Sequence, residues 1–352
     1  GVTGGLISGL LFALPGAMVV LGLAIVYALY GSTPAISALF LGIKAAVLVI
    51  VLEALGKVAR KSLKTKTALT TAGLSFFGLF FLNLPFPLII FLAGLFGFLV
   101  ASKEAPQERE YTAPVPLQRT ALIALIWVGI WFAPLWGIAA LHDGAVFAQL
   151  GWFFSKLAAV TFGGAYSVLS YMAQDAVNAK EWLSAAEMMD GLGLAEATPG
   201  PLILVTEFVG FLAGARANGG FDIWMGIAAA AVTLWATFAP CFLWVFVGAP
   251  YIEWMSTKPR LAKALLSISA AVVGVILNLS VWFSLHVLFD TVERSDYSIF
   301  VLWLPDLLSA DLLAASLSVV AAIILLWLRQ SVIVTLLICA ILGLAGDAFL
   351  TN

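Results

Sequence analysis

The chain has 352 residues, of which 63% are hydrophobic and only 10% are charged, and its formal net charge is −2. So few polar residues cannot cover the surface of a soluble globular domain, which excludes that class and favours an all-α, polytopic membrane protein. The small net charge gives no indication of a nucleic-acid partner.

Apolar runs, taken in chain order, predict eleven transmembrane helices. The runs are about 17–28 residues long, which is enough to cross a hydrocarbon core about 30 Å thick. Prolines and polar clusters separate them, as in "YGSTP" at 30–34 and "NLPFP" at 83–87. The predicted spans are 4–30, 34–56, 67–83, 85–101, 119–141, 145–172, 200–216, 222–249, 262–288, 309–328 and 331–348.

The distribution of lysine and arginine predicts the orientation. The loop "KVARKSLKTK" at 57–66 carries five cations, and placing it in the cytoplasm puts 13 cations inside and two outside. Because cytoplasmic loops of membrane proteins are enriched in lysine and arginine, this orientation is favoured. It also places the loop 173–199 inside, where the acidic stretch 175–191 is interpreted as a solvated amphipathic helix lying on the cytoplasmic face.

Two parts of the chain resemble each other, which predicts an internal repeat. Pro15 corresponds to Pro240 and Tyr27 to Tyr251, "AAVLVIVLE" at 45–53 matches "AAVVGVILN" at 270–278, and "FLAGLFGF" at 91–98 resembles "LICAILGL" at 337–344. The basic loop 57–66 corresponds to the acidic loop 289–300, so the copies are expected to have opposite orientations. Inverted repeats are the architecture of many secondary transporters.

The repeat divides the chain into three parts. Residues 1–101 form the N-terminal copy, 102–144 a linker with the helix that reverses the topology, and 145–352 the C-terminal copy. Two elements of the second copy, 145–172 and 200–216, have no counterpart in the first. We therefore expect the natural protein to carry two further elements upstream of Gly1.

Helix breakers lie inside the most apolar segments. Gly163 and Gly164 fall within the predicted span 145–172, and "TPGP" (Thr198, Pro199, Gly200 and Pro201) opens the span 200–216. Prolines suit the first turn of a helix, and a helix that begins within the membrane points its free N–H groups at whatever lies there. The motif therefore predicts a half-helix directed at an anion, with Thr198 as a hydroxyl donor or N-cap. A turn at the membrane surface is the alternative, and for the glycines close helix packing.

Two lysines, Lys44 and Lys156, lie within predicted spans. A buried ammonium costs about 2.5–3.5 kcal/mol on insertion scales and is usually paired or functional. Snorkelling to the interface, or an ion pair with Glu207, would also explain them. Two half-helix N-termini, one of them from the expected upstream elements, and one lysine together supply about +2 charges, which suits a divalent oxyanion.

These segments resemble the chromate ion transporter (CHR) family of bacterial inner-membrane proteins. The likeness rests on "TFGGAYSVLSYMAQDAV", on "EWLSAAEMMDGLGLAEATPGPLILVTEFVGF" and on "LGIKAAVLVIVLEAL". It implies chromate efflux, conferring resistance, by two oppositely oriented halves. The family motif positions implied as substrate-binding are Gly163, Gly164, Pro199, Gly200, Pro201, Lys44 and Lys156.

The chain departs from the family pattern at three positions. Ala45 and Ser170 stand where proline is common, and Glu207 stands where glutamine is usual. The extra carboxylate puts chromate specificity in question, and Glu207 could instead carry a coupling proton.

Other function classes have less support. A membrane enzyme would need converging acid–base groups or metal ligands, yet His142 and His286 lie singly at helix ends and no catalytic motif occurs. We expect no catalytic residues, metal or cofactor. The expected partners are chromate or a sulfate-like oxyanion and the lipid bilayer, with no nucleic acid. A homodimer and a non-transporting membrane scaffold remain open alternatives.

Overall fold

The computed structural model describes residues 2–31, 33–100, 117–140, 145–159, 165–198, 200–248, 251, 258–298 and 300–350. Almost all of these residues are helical, which confirms an all-α, polytopic membrane protein. The helices are α1 (Val2–Tyr30), α2 (Pro34–Ser62), α3 (Lys66–Phe80), α4 (Phe86–Val100), α5 (Leu117–Ala139), α6 (Ala145–Ala159), α7 (Ala165–Gln174), α8 (Ala185–Ala197), α9 (Val205–Ala215), α10 (Ile223–Gly248), α11 (Pro259–Leu288), α12 (Leu312–Ala322) and α13 (Val332–Leu350).

The helices fall into two length classes. Within the described part of the chain, α1, α2, α5, α10 and α11 are long and apolar enough to cross a membrane. Most of the remaining helices have 10–15 residues, fewer than the roughly 20 that a span requires. One of them, α12, continues into a π-helical turn at Ile323–Trp327, which extends it over most of the predicted span 309–328.

The predicted span 145–172 is wrong, because it consists of two helices that run in opposite directions. α6 ends at Ala159 and α7 is described from Ala165. Phe153 in α6 stacks on Tyr171 in α7 with ring centroids 6.1 Å apart, so positions on either side of the break face each other. The chain therefore enters and leaves the bundle on the same side.

The helices α8 and α9 form a second antiparallel pair, since α8 ends at Ala197 and α9 begins at Val205. A capping box between Ser184 and Glu187 begins α8, and a short 3₁₀ turn at Leu202–Leu204 leads into α9. Glu187 at the start of α8 forms an ion pair of 2.7 Å with Arg216, which follows the end of α9.

The second pair overturns the interpretation of the stretch 175–191 as a solvated amphipathic helix. Most of α8 is buried, including Met188, Asp190 and Leu192. Residues from 145–149, 181–187 and 213–217 line one surface pocket, so the start of α6, the start of α8 and the end of α9 share one end of the molecule. Since Arg216 is predicted outside, Lys180 moves to that side too. The other predicted inside cations are unaffected, so the overall orientation is retained.

The long helices α2 and α11 exchange partners between the two predicted copies. α2 packs against α12 and α13, whereas α11 packs against α3 and α4. A methyl group on Gly97 of α4 would meet Lys263 O and Ser267 Cβ, each at 2.6 Å, and one on Gly343 of α13 would meet Ala38 O and the backbone of Gly42. The two glycines contact equivalent positions. The spacing of 225 residues that relates "AAVLVIVLE" to "AAVVGVILN" also relates Ala38 to Lys263 and Gly42 to Ser267.

A β-hairpin, which the sequence analysis missed, covers one end of the bundle. β1 (Val292–Tyr297) and β2 (Phe300–Pro305) pair antiparallel, with Tyr297 opposite Phe300. The N–H of Val301 donates to the carbonyl of Phe81 at 2.7 Å, which fixes the hairpin to the turn between α3 and α4. Both segments are predicted outside, so this contact agrees with the orientation.

Candidate functional site

Asp190 of α8 is buried between α1 and α2 and binds one residue of each. Its Oδ1 lies 3.2 Å from Nζ of Lys44 in α2. The hydroxyl of Tyr27 in α1 donates to Oδ2 at 2.7 Å. Both side chains of the ion pair are largely buried. The predicted ion pair of a span lysine with Glu207 is therefore wrong for Lys44, because its partner is Asp190.

Two further carboxylates attach α8 to its surroundings. Glu196 near its end accepts a hydrogen bond of 2.7 Å from the hydroxyl of Tyr166 in α7, and Glu187 pairs with Arg216 after α9. With Asp190, the helix is held by polar contacts to α1, α2, α7 and the end of α9. Such contacts within a buried region set the position of a helix more narrowly than apolar packing alone.

The turn between α8 and α9 lies beside the middle of α1. Gly200 has φ of +144°, a conformation open essentially only to glycine. A methyl group there would lie 3.3 Å from Cα of Gly16, the midpoint of α1. The helix break is therefore about halfway along a helix that is long enough to span the membrane.

Thr198 ends α8 and does not cap the helix that follows. Its hydroxyl donates to the carbonyl of Ala195 at 3.0 Å. Pro201 precedes the 3₁₀ turn, and α9 itself begins only at Val205, so the prolines lie before its first turn. The N-cap interpretation of Thr198 is wrong, whereas its hydroxyl oxygen still has acceptor capacity.

Glu207 lies in the first turn of α9 and is only 1% exposed. Its Oε2 has no hydrogen-bond partner among the described residues. The neighbouring Thr206 bonds back to the carbonyl of Ile203 at 2.8 Å and receives a long hydrogen bond of 3.4 Å from Thr237 in α10. A buried carboxyl group with an unpaired oxygen is costly as an anion, so it is a candidate for binding a proton.

Lys156, in the last turn of α6, is exposed on the protein surface, and its ammonium lies 6.0 Å from the ring centre of Tyr171. This contact is long for a cation–π interaction, and the ammonium also interacts electrostatically with the carboxylate of Asp175. Gly163, Gly164 and Pro199 lie outside the described residues. The described chain contains no group of three or more His, Cys, Asp or Glu side chains that could hold a metal.

The helix breaks bring helix ends of both polarities together. α7 and α9 begin at the breaks, so their N–H groups are directed there, but α6 and α8 end at the same places. A helix C-terminus carries about −0.5 charge, which offsets an N-terminus of about +0.5. The predicted total of about +2 charges from two helix N-termini and one lysine is therefore wrong. Attraction of an anion depends instead on the lysines and on the direction in which the N–H groups point.

Neither Asp190 nor Tyr27 is among the site residues predicted from the sequence. A signal for Asp190 was present, since it lies among apolar residues and glycines in the middle of α8, whereas Glu187 and Glu196 stand near the ends of that helix. Ser170 was noted only as a departure from proline. Its hydroxyl accepts a hydrogen bond of 3.2 Å from Nδ2 of Asn278, which joins α7 to α11 within the bundle.

Comparison with known proteins gives a match over most of the chain. The family described as "Chromate transporter" matches residues 1–98 and 148–344, well over half of the sequence. The chain belongs to the chromate transporter family. The resemblance inferred from the motifs is thus confirmed, and the two matched segments leave out 99–147, which includes α5.

Three curated relatives show the range of similarity within the chromate transporter family. A "Probable chromate transport protein" of Synechococcus elongatus is 24% identical over 291 residues, covering 78% of this chain and 65% of the relative. A "Chromate transport protein" of Cupriavidus metallidurans is 26% identical, covering 78% and 63%. That of Pseudomonas aeruginosa is 31% identical, covering 78% and 62%.

The chain spans a little under two thirds of the length of these three relatives. No solved structure matches it significantly.

Proposed function

We propose that the protein is a secondary active transporter that exports chromate across the bacterial inner membrane and so confers chromate resistance. The observation that carries the proposal is the pair of helix breaks within the bundle, between α6 and α7 and between α8 and α9. Irregular backbone at membrane depth is tolerated only where it is buried in protein or lines a wet cavity. Family membership adds the substrate class, since relatives are named as chromate transport proteins.

The substrate would bind at the two breaks, with the backbone N–H groups at the starts of α7 and α9 as donors. Gly163, Gly164, Thr198, Pro199, Gly200 and Pro201 are the proposed substrate-binding residues of these segments, and Lys44 and Lys156 supply positive charge. Glycine leaves room for an oxyanion to approach the backbone closely. The exposed ammonium of Lys156, weakly engaged with Tyr171, is the better placed lysine to meet an anion first.

Transport would follow from the relation between the two copies. The equivalent contacts made by Gly97 and Gly343 support an inverted repeat, with 1–101 and 145–352 as its copies and 102–144 as the linker. In inverted-repeat transporters the site lies near the midplane and opens alternately to the two sides. A proton on Glu207 is the proposed coupling ion, because that carboxyl group is buried with an unpaired oxygen.

A related oxyanion such as sulfate is the alternative substrate. A tetrahedral dianion of similar size presents the same oxygens to backbone donors. The replacement of the usual glutamine by Glu207 favours keeping this alternative. A non-transporting membrane scaffold is the alternative function. A homodimer is the alternative oligomeric state.

The proposal is tested by chromate uptake into inside-out membrane vesicles that contain the intact protein. We expect saturable uptake, inhibited by sulfate where the two anions share the site, and at least a tenfold loss of uptake in Lys156→Ala, equal to about 1.4 kcal/mol of binding free energy. Lys57→Ala is the matched control, since its ammonium pairs with Glu53 on the basic surface at 2.7 Å. No uptake by the wild-type protein would overturn the function, and undiminished uptake by Lys156→Ala would overturn the site alone.

A further inference from the structure

We propose that Asp190 is an internal competitor of the substrate: its carboxylate neutralises Lys44 while the site is empty and is displaced from the ammonium when an oxyanion binds. This inference rests on the proposed function, because it assumes that the transported species is an anion. It assigns a role to a carboxylate that the substrate-binding set described above does not include.

The ion pair has the geometry of an exchangeable contact. Nζ of Lys44 lies 3.2 Å from Oδ1 of Asp190, yet this oxygen accepts no well-formed hydrogen bond within the described chain. Charge-assisted N–H···O bonds are usually about 2.7–2.9 Å long. The two charges therefore attract each other without the short, directed bond that would make the contact hard to break.

The ammonium has donors to spare, whereas the carboxylate has an alternative partner. A lysine has three N–H donors, and Asp190 is the one polar partner of Lys44 in the described structure. The other oxygen of Asp190 is bound by Tyr27 at 2.7 Å. When an oxyanion takes the lysine, the tyrosine hydroxyl still holds the carboxylate, so Asp190 does not become an unbound buried anion.

The lysine is the more accessible member of the pair. The side chain of Lys44 is 17% exposed and that of Asp190 only 6%. An incoming anion would therefore meet the ammonium before the carboxylate. A dianion and a carboxylate that contact the same ammonium repel each other. The binding of one therefore weakens the attraction between the other and Lys44.

The experiment measures equilibrium binding of labelled chromate to the purified intact protein and, in parallel, its uptake in proteoliposomes. We expect Asp190→Asn to lower the Kd for chromate by at least tenfold, because the competing charge is removed while the amide oxygen can still accept from Tyr27. The maximal uptake rate should fall several-fold in the same variant, because the returning carboxylate that helps to release the substrate is absent.

Two variants separate competition from a structural role. Glu187→Gln removes an ion-paired carboxylate one turn away on α8 while preserving the capping box, and its Kd should equal that of the wild-type protein. The double variant Lys44→Met, Asp190→Asn removes both charges, which avoids an unpaired buried ion. Its Kd should equal that of Lys44→Met alone, because Asp190 acts only through the ammonium.

The outcomes distinguish this inference from the proposed function. If the wild-type protein binds chromate and Asp190→Asn binds it equally or more weakly, the competitor role is wrong and the transporter stands. A tightening that persists in the Lys44→Met background would also overturn it. If neither the wild-type protein nor any variant binds chromate or sulfate, both proposals fail together.

Discussion

At the residue scale, Asp190 and Glu207 are the two buried acidic side chains within the described part of the chain, and they differ in their partners. Asp190 is bound by a lysine and a tyrosine, whereas one oxygen of Glu207 has no partner in the described structure. Burial of a charge without a partner is costly, so Glu207 is the residue at which gaining a proton would remove the larger penalty.

We expect Glu207→Gln to remove most of the pH dependence of chromate transport, since an amide is isosteric with a protonated carboxyl group but does not titrate. The measurement is the initial uptake rate in proteoliposomes across a series of external pH values. Glu53→Gln is the matched control, because Glu53 pairs with Lys57 one turn away near the basic end of α2 and should leave the pH profile unchanged. A wild-type pH profile in Glu207→Gln would exclude this residue as the proton carrier.

The sequence predicted some of these residues and not others, for a physical reason. Lys44, Lys156 and the glycine–proline turns could be recognised because a charge or a helix breaker is rare inside an apolar run. Asp190 has only a weak local signal and Tyr27 has none, since their roles depend on α8 packing against α1 and α2. The hydroxyl of Thr198 likewise had two available partners, and only the fold decides between the end of α8 and the start of α9.

At the element scale, glycines determine which helices lie together. Gly343 allows α13 to approach α2 at Ala38 and Gly42, and Gly97 allows α4 to approach α11 at Lys263 and Ser267. Small residues permit this closeness of backbones in membrane helices, where van der Waals packing replaces the hydrophobic effect as a driving force.

We expect Gly97→Ala and Gly343→Ala each to destabilise the protein by about 1–3 kcal/mol, because the added methyl group overlaps backbone atoms that cannot move independently. Thermal unfolding in detergent measures the effect. Gly129→Ala is the control, since a methyl group at that position of α5 has no neighbour within 4 Å and should be neutral or slightly stabilising. Loss of stability in only one of the two variants would argue against equivalent roles in the two copies.

The short paired helices were the least predictable elements. Hydropathy reports length and apolarity, and the run 145–172 has both, so hydropathy predicts a single crossing. Within that run, only Gly163 and Gly164 signal in the sequence that the helix is interrupted. The acidic residues of α8 predicted a solvated helix. The helix is buried instead, because each of its carboxylates has a partner from another element.

At the scale of the whole molecule, the two helix pairs change the predicted topology without changing the overall orientation. If 145–172 and 200–216 were single crossings, the chain would cross the membrane twice and return to the side from which it came. The pairs α6–α7 and α8–α9 return the chain to that same side. The two topologies therefore differ only in the side on which 173–199 lies, and Lys180 is an exposed residue in that segment.

We expect a cysteine in place of Lys180 to react with a membrane-impermeant maleimide added to intact spheroplasts. A cysteine in place of Lys61, in the basic loop after α2, should react only after permeabilisation. Both variants are made in a background with Cys241→Ala and Cys339→Ala, which removes the two native thiols. Labelling of the position 180 variant only after permeabilisation would restore the single crossing and remove the helix break at membrane depth.

The exchange of partners between α2 and α11 has a mechanical consequence. Because α2 packs against α12 and α13 and α11 packs against α3 and α4, the two predicted copies could not tilt apart without opening the contacts of both Gly97 and Gly343. The β-hairpin adds a tie at one end by its bond to Phe81. In the proposed alternating access, displacement would then fall to helices outside this frame, and breakage of the Asp190–Lys44 contact would free α8 from α2.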